Sequence, residues 1–322
     1  MALLREDPAL LRAAFNNASD ALNGLEVTFI EKDYWVTQVL RELHACYPGG
    51  FLFNGGTSLS KGYGIIERFS EDVDILVVRR AGASNRDSEM HLQTMAVTVA
   101  GALGLTRTEH RTPGRGREPN RADDLGYTAV TTSGIRVAVR PDVVLLETGY
   151  SGGTEPAEMV EVSPLVGAAL ELDPAEFADI APFTVRALEP RRTLIEKLFA
   201  LHHIASCWMT GDVHDEERFG RHYYDVYKLL EHASTMKKLA DRTGFEVLVT
   251  EVERVSGLHF GGTTARPSAG FATSPAFTPV DPELRGWLEV KFADGLELVP
   301  RTKERPSFGR VLQRVGQNAH LL

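Results

Sequence analysis

Residues 54–59 of this 322-residue chain read Asn-Gly-Gly-Thr-Ser-Leu, and residues 68–78 read Arg-Phe-Ser-Glu-Asp-Val-Asp-Ile-Leu-Val-Val. The apolar run at residues 51–53 predicts a strand that ends at the glycines, followed by a helix with Thr57 or Ser58 near its N-cap. Glycine lets the backbone approach a ligand closely, and free N–H groups at a helix start favour an anion such as phosphate. The first stretch therefore predicts a strand, an anion-binding glycine turn and a helix.

Two acids, Asp72 and Asp74, open a second predicted strand. Because strand side chains alternate between faces, both acids point to one side, and Val73 and Ile75 point to the other. Mg²⁺ is usually held by one or two carboxylates together with substrate phosphates. An isolated Asp-x-Asp more often marks the solvated face of an edge strand. Beside the glycine turn, however, the pair indicates metal-dependent phosphoryl or nucleotidyl transfer.

This combination resembles the first motif of DNA polymerase β-type nucleotidyltransferases and, more narrowly, the AbiEii/AbiGii toxin family. Three further segments match that family's pattern in the same order: Glu-Lys-Asp-Tyr-Trp at residues 31–35, Glu-Lys-Leu-Phe-Ala-Leu-His at 196–202 and Arg-His-Tyr-Tyr-Asp at 221–225. The resemblance covers residues 30–230. It implies a bacterial toxin of a toxin–antitoxin or phage-defence pair that transfers nucleotides from an NTP. Transfer RNA is the acceptor class known for some members.

The resemblance also implies a role for individual residues. Asp72, Asp74 and a third carboxylate would hold two Mg²⁺ ions, with Mn²⁺ as the alternative metal. Lys197 would neutralise charge on the triphosphate, and Asp225 would position or deprotonate the acceptor hydroxyl. The phosphates would be held by the glycine turn, which contains Gly55, Gly56, Thr57 and Ser58.

Two more side chains are candidates for phosphate contact because of their place in the sequence. Lys32 precedes the glycine turn, within an apolar helical stripe that includes Trp35, Val36 and Val39. A lysine that snorkels from a helix start is the alternative explanation for Lys32. Ser70 stands beside the Asp pair.

The third carboxylate is predicted on a hairpin formed by residues 127–131, a turn at residues 133–134 and a strand over residues 135–147 that Pro141 interrupts. Asp142 and Glu147 are the candidates. A separation of five residues puts them on opposite faces of a strand, so one of them at most can join the Asp pair. We prefer Glu147, because it ends the strand and because this segment resembles the family's strand that ends in an acid.

In the Lys197 helix, the amine lies at the edge of an apolar stripe and needs an anion to offset its desolvation. A triphosphate and an ion pair with a nearby acid both remain open, and we expect the triphosphate, with the amine uncompensated in its absence. Arg221 and Asp225 are one turn apart on the polar face of their helix. A surface ion pair with Arg before Asp stabilises a helix by roughly 0.2–0.5 kcal/mol at best. Helix stability alone therefore explains this pair poorly.

The predicted fold class is α+β. Residues 1–162 are expected to form a polymerase β-type nucleotidyltransferase domain, with N-terminal helices and a small mixed sheet flanked by helices. Residues 163–322 are expected to form a mainly helical domain that contributes Lys197 and Asp225 to the active site. Two cysteines, the lack of a signal peptide and the lack of an apolar stretch long enough to span a bilayer predict a cytoplasmic protein with no membrane partner.

A net charge of −9 argues against simple nucleic-acid binding. Two segments are nevertheless basic: residues 107–121, predicted as a loop, and residues 301–314. Each either meets an RNA backbone or is solvated surface. The predicted partners are an NTP, an RNA acceptor and a cognate antitoxin, and the resemblance implies tRNA as the acceptor. Transfer to a protein or small molecule, and NTP binding without turnover, are the alternative functions.

Overall fold

The computed structural model describes residues 2–70, 72–111, 118–132, 140, 142–212, 219–259 and 264–322. The chain divides into two compact units. The first consists of Met1–Tyr63 and Phe69–Leu188, and the second consists of Gly64–Arg68 and Glu189–Leu322. The second unit therefore includes five residues that interrupt the first in sequence.

One mixed sheet forms the centre of the first unit. Its strands are β1 (Phe51–Asn54), β2 (Asp72–Val77), β3 (Thr106–Arg111), β4 (Asn120–Gly126), β5 (Val143–Gly149), β6 (Ala157–Val162) and β7 (Phe183–Leu188). Their spatial order is β3-β4-β5-β2-β1-β7-β6. The β2–β5 and β1–β7 pairs are parallel, and the other neighbouring pairs are antiparallel.

Helices of the first unit cover the sheet. They are α1 (Pro8–Ala21), α2 (Val27–Cys46), α3 (Gly55–Thr57), α4 (Asn85–Leu103) and α5 (Leu165–Ala169). The predicted apolar face of α2 is confirmed, because Trp35, Val36, Val39, Leu40 and Leu43 are all buried. They belong to the same core cluster as apolar side chains of β1 and β2. Burial of each such side chain favours folding by roughly 1.5–3 kcal/mol.

The hairpin and the basic loop differ from their predictions. The strand expected at residues 127–131 is not formed, and the strand that pairs with β5 is instead β4, which ends at Gly126. The turn expected at residues 133–134 and Pro141 lie outside the described residues. Residues 107–121 were expected to form a loop, but residues 107–111 belong to β3, residues 120–121 belong to β4, and the two strands pair with each other. Proline and glycine near the middle of the range do not prevent pairing of its two ends.

The predicted fold class is confirmed: a mixed sheet with flanking helices is followed by a mainly helical part. The units divide after Leu188, later than the expected boundary after residue 162. The difference arises because residues 183–188, within a stretch expected to be helical, form β7 and pair with β6 and β1.

The second unit consists mainly of helices around an aromatic core. These are α6 (Pro190–Met209), α7 (Arg221–Leu229), α8 (Ala233–Leu239), α9 (Arg242–His259), α10 (Pro282–Leu296) and α11 (Phe308–Gln317). The Tyr223 ring of α7 meets Phe277, Phe292 and Phe308 edge to face, with centroid distances of 5.8, 6.2 and 5.2 Å. In the described part of the chain, no helix combines the length and apolar character needed to cross a bilayer.

Candidate active site

One row of residues crosses four strands of the sheet. Glu147 of β5 is in register with Asp74 of β2, which is in register with Asn54 of β1, and Ala122 of β4 lies on the other side of Glu147. Residues paired across neighbouring strands share a face, so Asp74 and Glu147 project to the same side. Asp72, two residues before Asp74, projects to that side as well. Three carboxylates thus share one face of the sheet.

The register favours Glu147 over Asp142 as the third acid. Glu147 lies within β5 and is half-buried, whereas Asp142 precedes the strand and is exposed. The Asp142 carbonyl oxygen accepts a hydrogen bond from the Tyr127 N–H at 2.9 Å. The catalytic role of Glu147 stays a prediction.

The glycine turn lies directly against the Asp74 carboxylate. Gly55 has a φ of +70°, and a Cβ atom built on it would lie 1.9 Å from Asp74 Oδ2. Any side chain at Gly55 would therefore be strained in its backbone and would collide with Asp74. Glycine at this position is what allows the backbone of the turn to approach the first carboxylate motif.

The helix after the turn begins earlier than predicted. Helix α3 starts at Gly55 and continues as a π turn over Ser58–Gly62, so the expected N-cap at Thr57 or Ser58 is wrong. Both hydroxyls are used inside the motif. Thr57 Oγ1 donates to the Asp72 carbonyl oxygen, and Ser58 Oγ donates to the Gly55 carbonyl oxygen at 2.9 Å. These bonds fasten the turn to the start of β2 and to itself.

The acids of the 31–35 segment anchor loops of the first unit. Glu31, which is buried, accepts hydrogen bonds from the N–H groups of Val130 and Thr131 at 2.7 and 3.0 Å. Asp33 pairs with Lys61 and accepts from the N–H of Leu165. These contacts are sufficient to explain the presence of Glu31 and Asp33 in the segment by a structural role.

Lys32 is buried, so the snorkelling explanation is wrong. Its side chain is 1% exposed, and Nζ donates to the Arg140 carbonyl oxygen at 2.9 Å. The ammonium also lies 5.7 Å from the centroid of the Phe69 ring. Ser70 is half-buried. Phosphate contact by Lys32 or Ser70 stays a prediction.

The donor atoms on the carboxylate face suit a hard divalent cation in chemistry. Asp72, Asp74 and Glu147 offer oxygen ligands, the type that Mg²⁺ prefers. Asn54 Oδ1, in the same row, is buried and has no hydrogen-bond partner among the described residues, a deficit that a bound cation or polar ligand would remove. Within the described ranges, however, no three His, Cys, Asp or Glu side chains are grouped closely enough to hold a metal. The three carboxylates thus share a face of the sheet, but their oxygens are not grouped closely enough to surround a metal ion.

In the second unit, Asp225 is fully buried between two cations. Arg68 Nε donates to Oδ1 at 2.6 Å, and Arg68 Nη2 donates to Oδ2 at 2.8 Å. Lys197 Nζ lies 2.8 Å from Oδ2 and 3.2 Å from His222 Nδ1. Two expectations were wrong: Asp225 is not on a polar helix face, and Lys197 is paired with an acid.

Burial and charge set the protonation of this cluster. Burial alone would raise the pKa of Asp225, but the charges of Arg68 and Lys197 lower it well below its usual range. Burial lowers the pKa of Lys197, and Asp225 opposes that shift. Burial and the neighbouring charge of Lys197 lower the pKa of His222 well below its ordinary value. His222 is therefore neutral at pH 7.

Ion pairs within the chain account for much of the two basic segments. In the first, Arg107 and Arg121 both pair with the buried Asp123, at 2.7 and 2.6 Å. In the second, ion pairs join Lys303 to Glu67, Arg310 to Glu304 and Arg314 to Glu231. These side chains are therefore engaged in ion pairs within the protein, and Arg121 is buried rather than solvated. Arg115 and Arg117 lie outside the described residues.

The mixed sheet and its carboxylate face agree with the fold of a nucleotidyltransferase. A family model described as nucleotidyl transferase AbiEii toxin, type IV toxin–antitoxin system, matches residues 38–313, and the chain belongs to that family. The protein is thus a nucleotidyltransferase of a toxin family. The match extends further toward the C-terminus than the sequence resemblance did, and it begins after the 31–35 segment.

A solved structure supports the fold. The chain is similar to MenT4, a nucleotidyltransferase toxin from Mycobacterium tuberculosis, with a TM-score of 0.51 and 15% identity over 95% of this chain and 96% of that chain. At this identity the likeness shows a shared fold. No curated protein matches the chain significantly in sequence.

Three residues of these sites were not predicted. Asn54 places a polar side chain at the end of an apolar strand, and this change from apolar to polar could have identified it from the sequence. Arg68 and His222 carried weaker signals, because the contacts that define them join distant parts of the sequence. Arg68 meets Asp225 across 157 positions, and His222 meets Lys197 across 25.

Proposed function

We propose that this enzyme transfers a nucleotide from an NTP to an RNA acceptor of the tRNA class in a Mg²⁺-dependent reaction, as the toxin of a pair with a cognate antitoxin. The observation that carries the proposal is the shared face of Asp72, Asp74 and Glu147 beside the Gly55 turn. Support for the RNA acceptor comes from the family resemblance.

In the proposed reaction, an acceptor hydroxyl oxygen attacks the α-phosphorus in line, the bond from that phosphorus to the bridging oxygen of pyrophosphate breaks, pyrophosphate leaves, and the hydroxyl proton passes to solvent water. Asp72, Asp74 and Glu147 would hold the divalent cation, with the Asn54 amide oxygen as a further donor. When bound, this cation supplies positive charge that stabilises the transferred phosphoryl group. Backbone N–H groups of the glycine turn would bind phosphate oxygens, and the hydroxyls of Thr57 and Ser58 keep the turn rigid.

Lys197 and Asp225 have separate parts in the proposal. Lys197 neutralises charge on the triphosphate. A carboxyl group held ionised by two cations is a poor proton acceptor. We therefore assign Asp225 a positioning role and do not assign it the role of general base.

Incubation with each labelled NTP and total tRNA tests the proposal, because label on RNA, on protein or on neither separates the three functions. The Asp74→Asn variant is the control for contaminating activity. Removal of divalent cations should abolish labelling, and added Mg²⁺ should restore it. Label on protein alone would replace the RNA acceptor with a protein acceptor.

A further inference from the structure

We propose that His222 is a positioning residue for Lys197. It holds the ammonium so that one N–H group remains directed at an anionic ligand of the polyphosphate class. The inference rests on the proposed function only in its choice of ligand. The contact between Lys197 and His222 itself lies within the second unit.

The argument begins with the three N–H groups of the Lys197 ammonium, which can only donate. One points to Asp225 Oδ2 at 2.8 Å, and a second points to His222 Nδ1 at 3.2 Å. In the described part of the chain, Nζ has no third acceptor. Because Lys197 is only 7% exposed, a third donor without an acceptor is costly unless a ligand supplies one.

The hydrogen bond also fixes the state of His222. Since the ammonium has no lone pair, Nδ1 must be the acceptor, and the proton of the neutral ring must lie on Nε2. A protonated imidazole would place an N–H against the ammonium and break the contact. Burial and the nearby cations keep His222 neutral, which agrees with the geometry.

Asp225 cannot fix the ammonium alone. Its Oδ2 is shared with Arg68, and a single contact leaves the ammonium free to rotate about the line between the two atoms. A second contact, from a different position on α7, removes that freedom. Arg68 contributes by fixing both oxygens of Asp225.

The other charged groups around Lys197 come from three parts of the second unit. The Gly64–Arg68 segment supplies Arg68, α7 supplies Arg221 and Asp225, and α6 supplies Glu196, whose pKa is raised by its burial. Glu251 of α9 is paired with Arg192. His222 is therefore the neutral acceptor in a largely charged environment.

The test compares His222→Leu, which removes the acceptor, with His222→Asn, whose amide oxygen can occupy the place of Nδ1. The rate at which an amine reagent modifies Lys197 is measured by peptide mass spectrometry from about pH 6 to about pH 11 without NTP. His222→Leu should shift half-maximal modification about one pH unit lower, because the ammonium loses a hydrogen bond. His222→Asn should stay close to wild type. His203→Leu is the control, since His203 lies on α6 and contacts Thr264.

The ligand class is tested with inorganic tripolyphosphate as the probe. It should protect Lys197 from modification in wild type, and the concentration for half protection should rise about tenfold in His222→Leu. An unshifted titration in His222→Leu, or equal shifts in both His222 variants, would overturn the positioning role. Failure of tripolyphosphate to protect wild type would overturn the ligand class. Absence of nucleotide transfer by the wild-type protein would reject the proposed function. The pH dependence of Lys197 modification would still test the positioning role of His222.

Discussion

Gly55 and Asp74 are in direct apposition: a Cβ atom on Gly55 would lie 1.9 Å from Asp74 Oδ2. Any side chain at Gly55 would therefore displace the Asp74 carboxylate, so the glycine turn and β2 are structurally coupled.

Gly55→Ala should abolish nucleotide transfer and destabilise the fold. Gly49→Ala is a matched control, because Gly49 has a φ of +69° and no atom within 4 Å of a built Cβ. Gly49→Ala should cost about 1 kcal/mol for the backbone conformation alone and leave transfer intact. Denaturant unfolding and a labelled-NTP assay measure both effects. Equal losses in the two variants would mean that the approach to Asp74 is unimportant.

Asp72→Asn and Asp74→Asn should each abolish transfer, because each replaces a charged oxygen ligand by a neutral amide. The fold should persist, since the substitution preserves size, and circular dichroism checks that it does. Wild-type activity in either variant would rule out the carboxylate site.

Glu147→Gln should reduce transfer far more than Asp142→Asn. Glu147 is in register with Asp74, whereas Asp142 precedes β5 and is exposed. Initial rates at saturating Mg²⁺ provide the comparison. The opposite ranking would mean that the acid outside the strand serves the site.

Local sequence patterns were sufficient to predict some elements, whereas others depend on contacts between distant parts of the chain. The glycine turn, β2 and the α2 face follow local patterns, and sequence analysis found them. Strand β7 was missed because its place depends on pairing with β1 and β6. Asp225 was expected on the polar face of its helix, because a helical wheel shows only the residues of that helix. It does not show Arg68 and Lys197, which contact Asp225 from other segments. Likewise, Arg107 and Arg121 looked like a free basic segment because Asp123, the acid that pairs with both, is recognised only once β3 and β4 pair.

Asp225→Asn should destabilise the protein more than Lys197→Met. The first change leaves Arg68 and Lys197 buried without their counter-charge, at a cost of about 3–5 kcal/mol. The second leaves Asp225 with both hydrogen bonds from Arg68 and removes a desolvated ammonium. Denaturant midpoints at pH 7 give the ranking. A larger loss for Lys197→Met would show that Arg68 alone does not sustain Asp225.

His222 should make stability sensitive to acid. Its pKa in the folded protein is well below the ordinary value of 6.5, so the unfolded chain binds the proton first. Stability due to neutral His222 is complete above about pH 6.5 and falls as the pH is lowered, by up to about 1.4 kcal/mol per unit. Unfolding free energies at pH 7 and pH 5 should therefore differ less in His222→Asn than in wild type. An identical pH dependence would show that His222 titrates normally.

The interruption of the first unit by Gly64–Arg68 has a consequence for biosynthesis. Arg68 and Asp225 are 157 positions apart, and a ribosome adds about 5–20 residues per second. Arg68 is thus made about eight to thirty seconds before its partner. By the end of that interval the nascent chain contains the glycine turn and the strands that carry Asp72, Asp74 and Glu147, but it still lacks Asp225, the acid that pairs with Arg68 and Lys197. The cluster around Lys197 is completed only after translation has passed Asp225, so its assembly is a late event in the synthesis of the toxin.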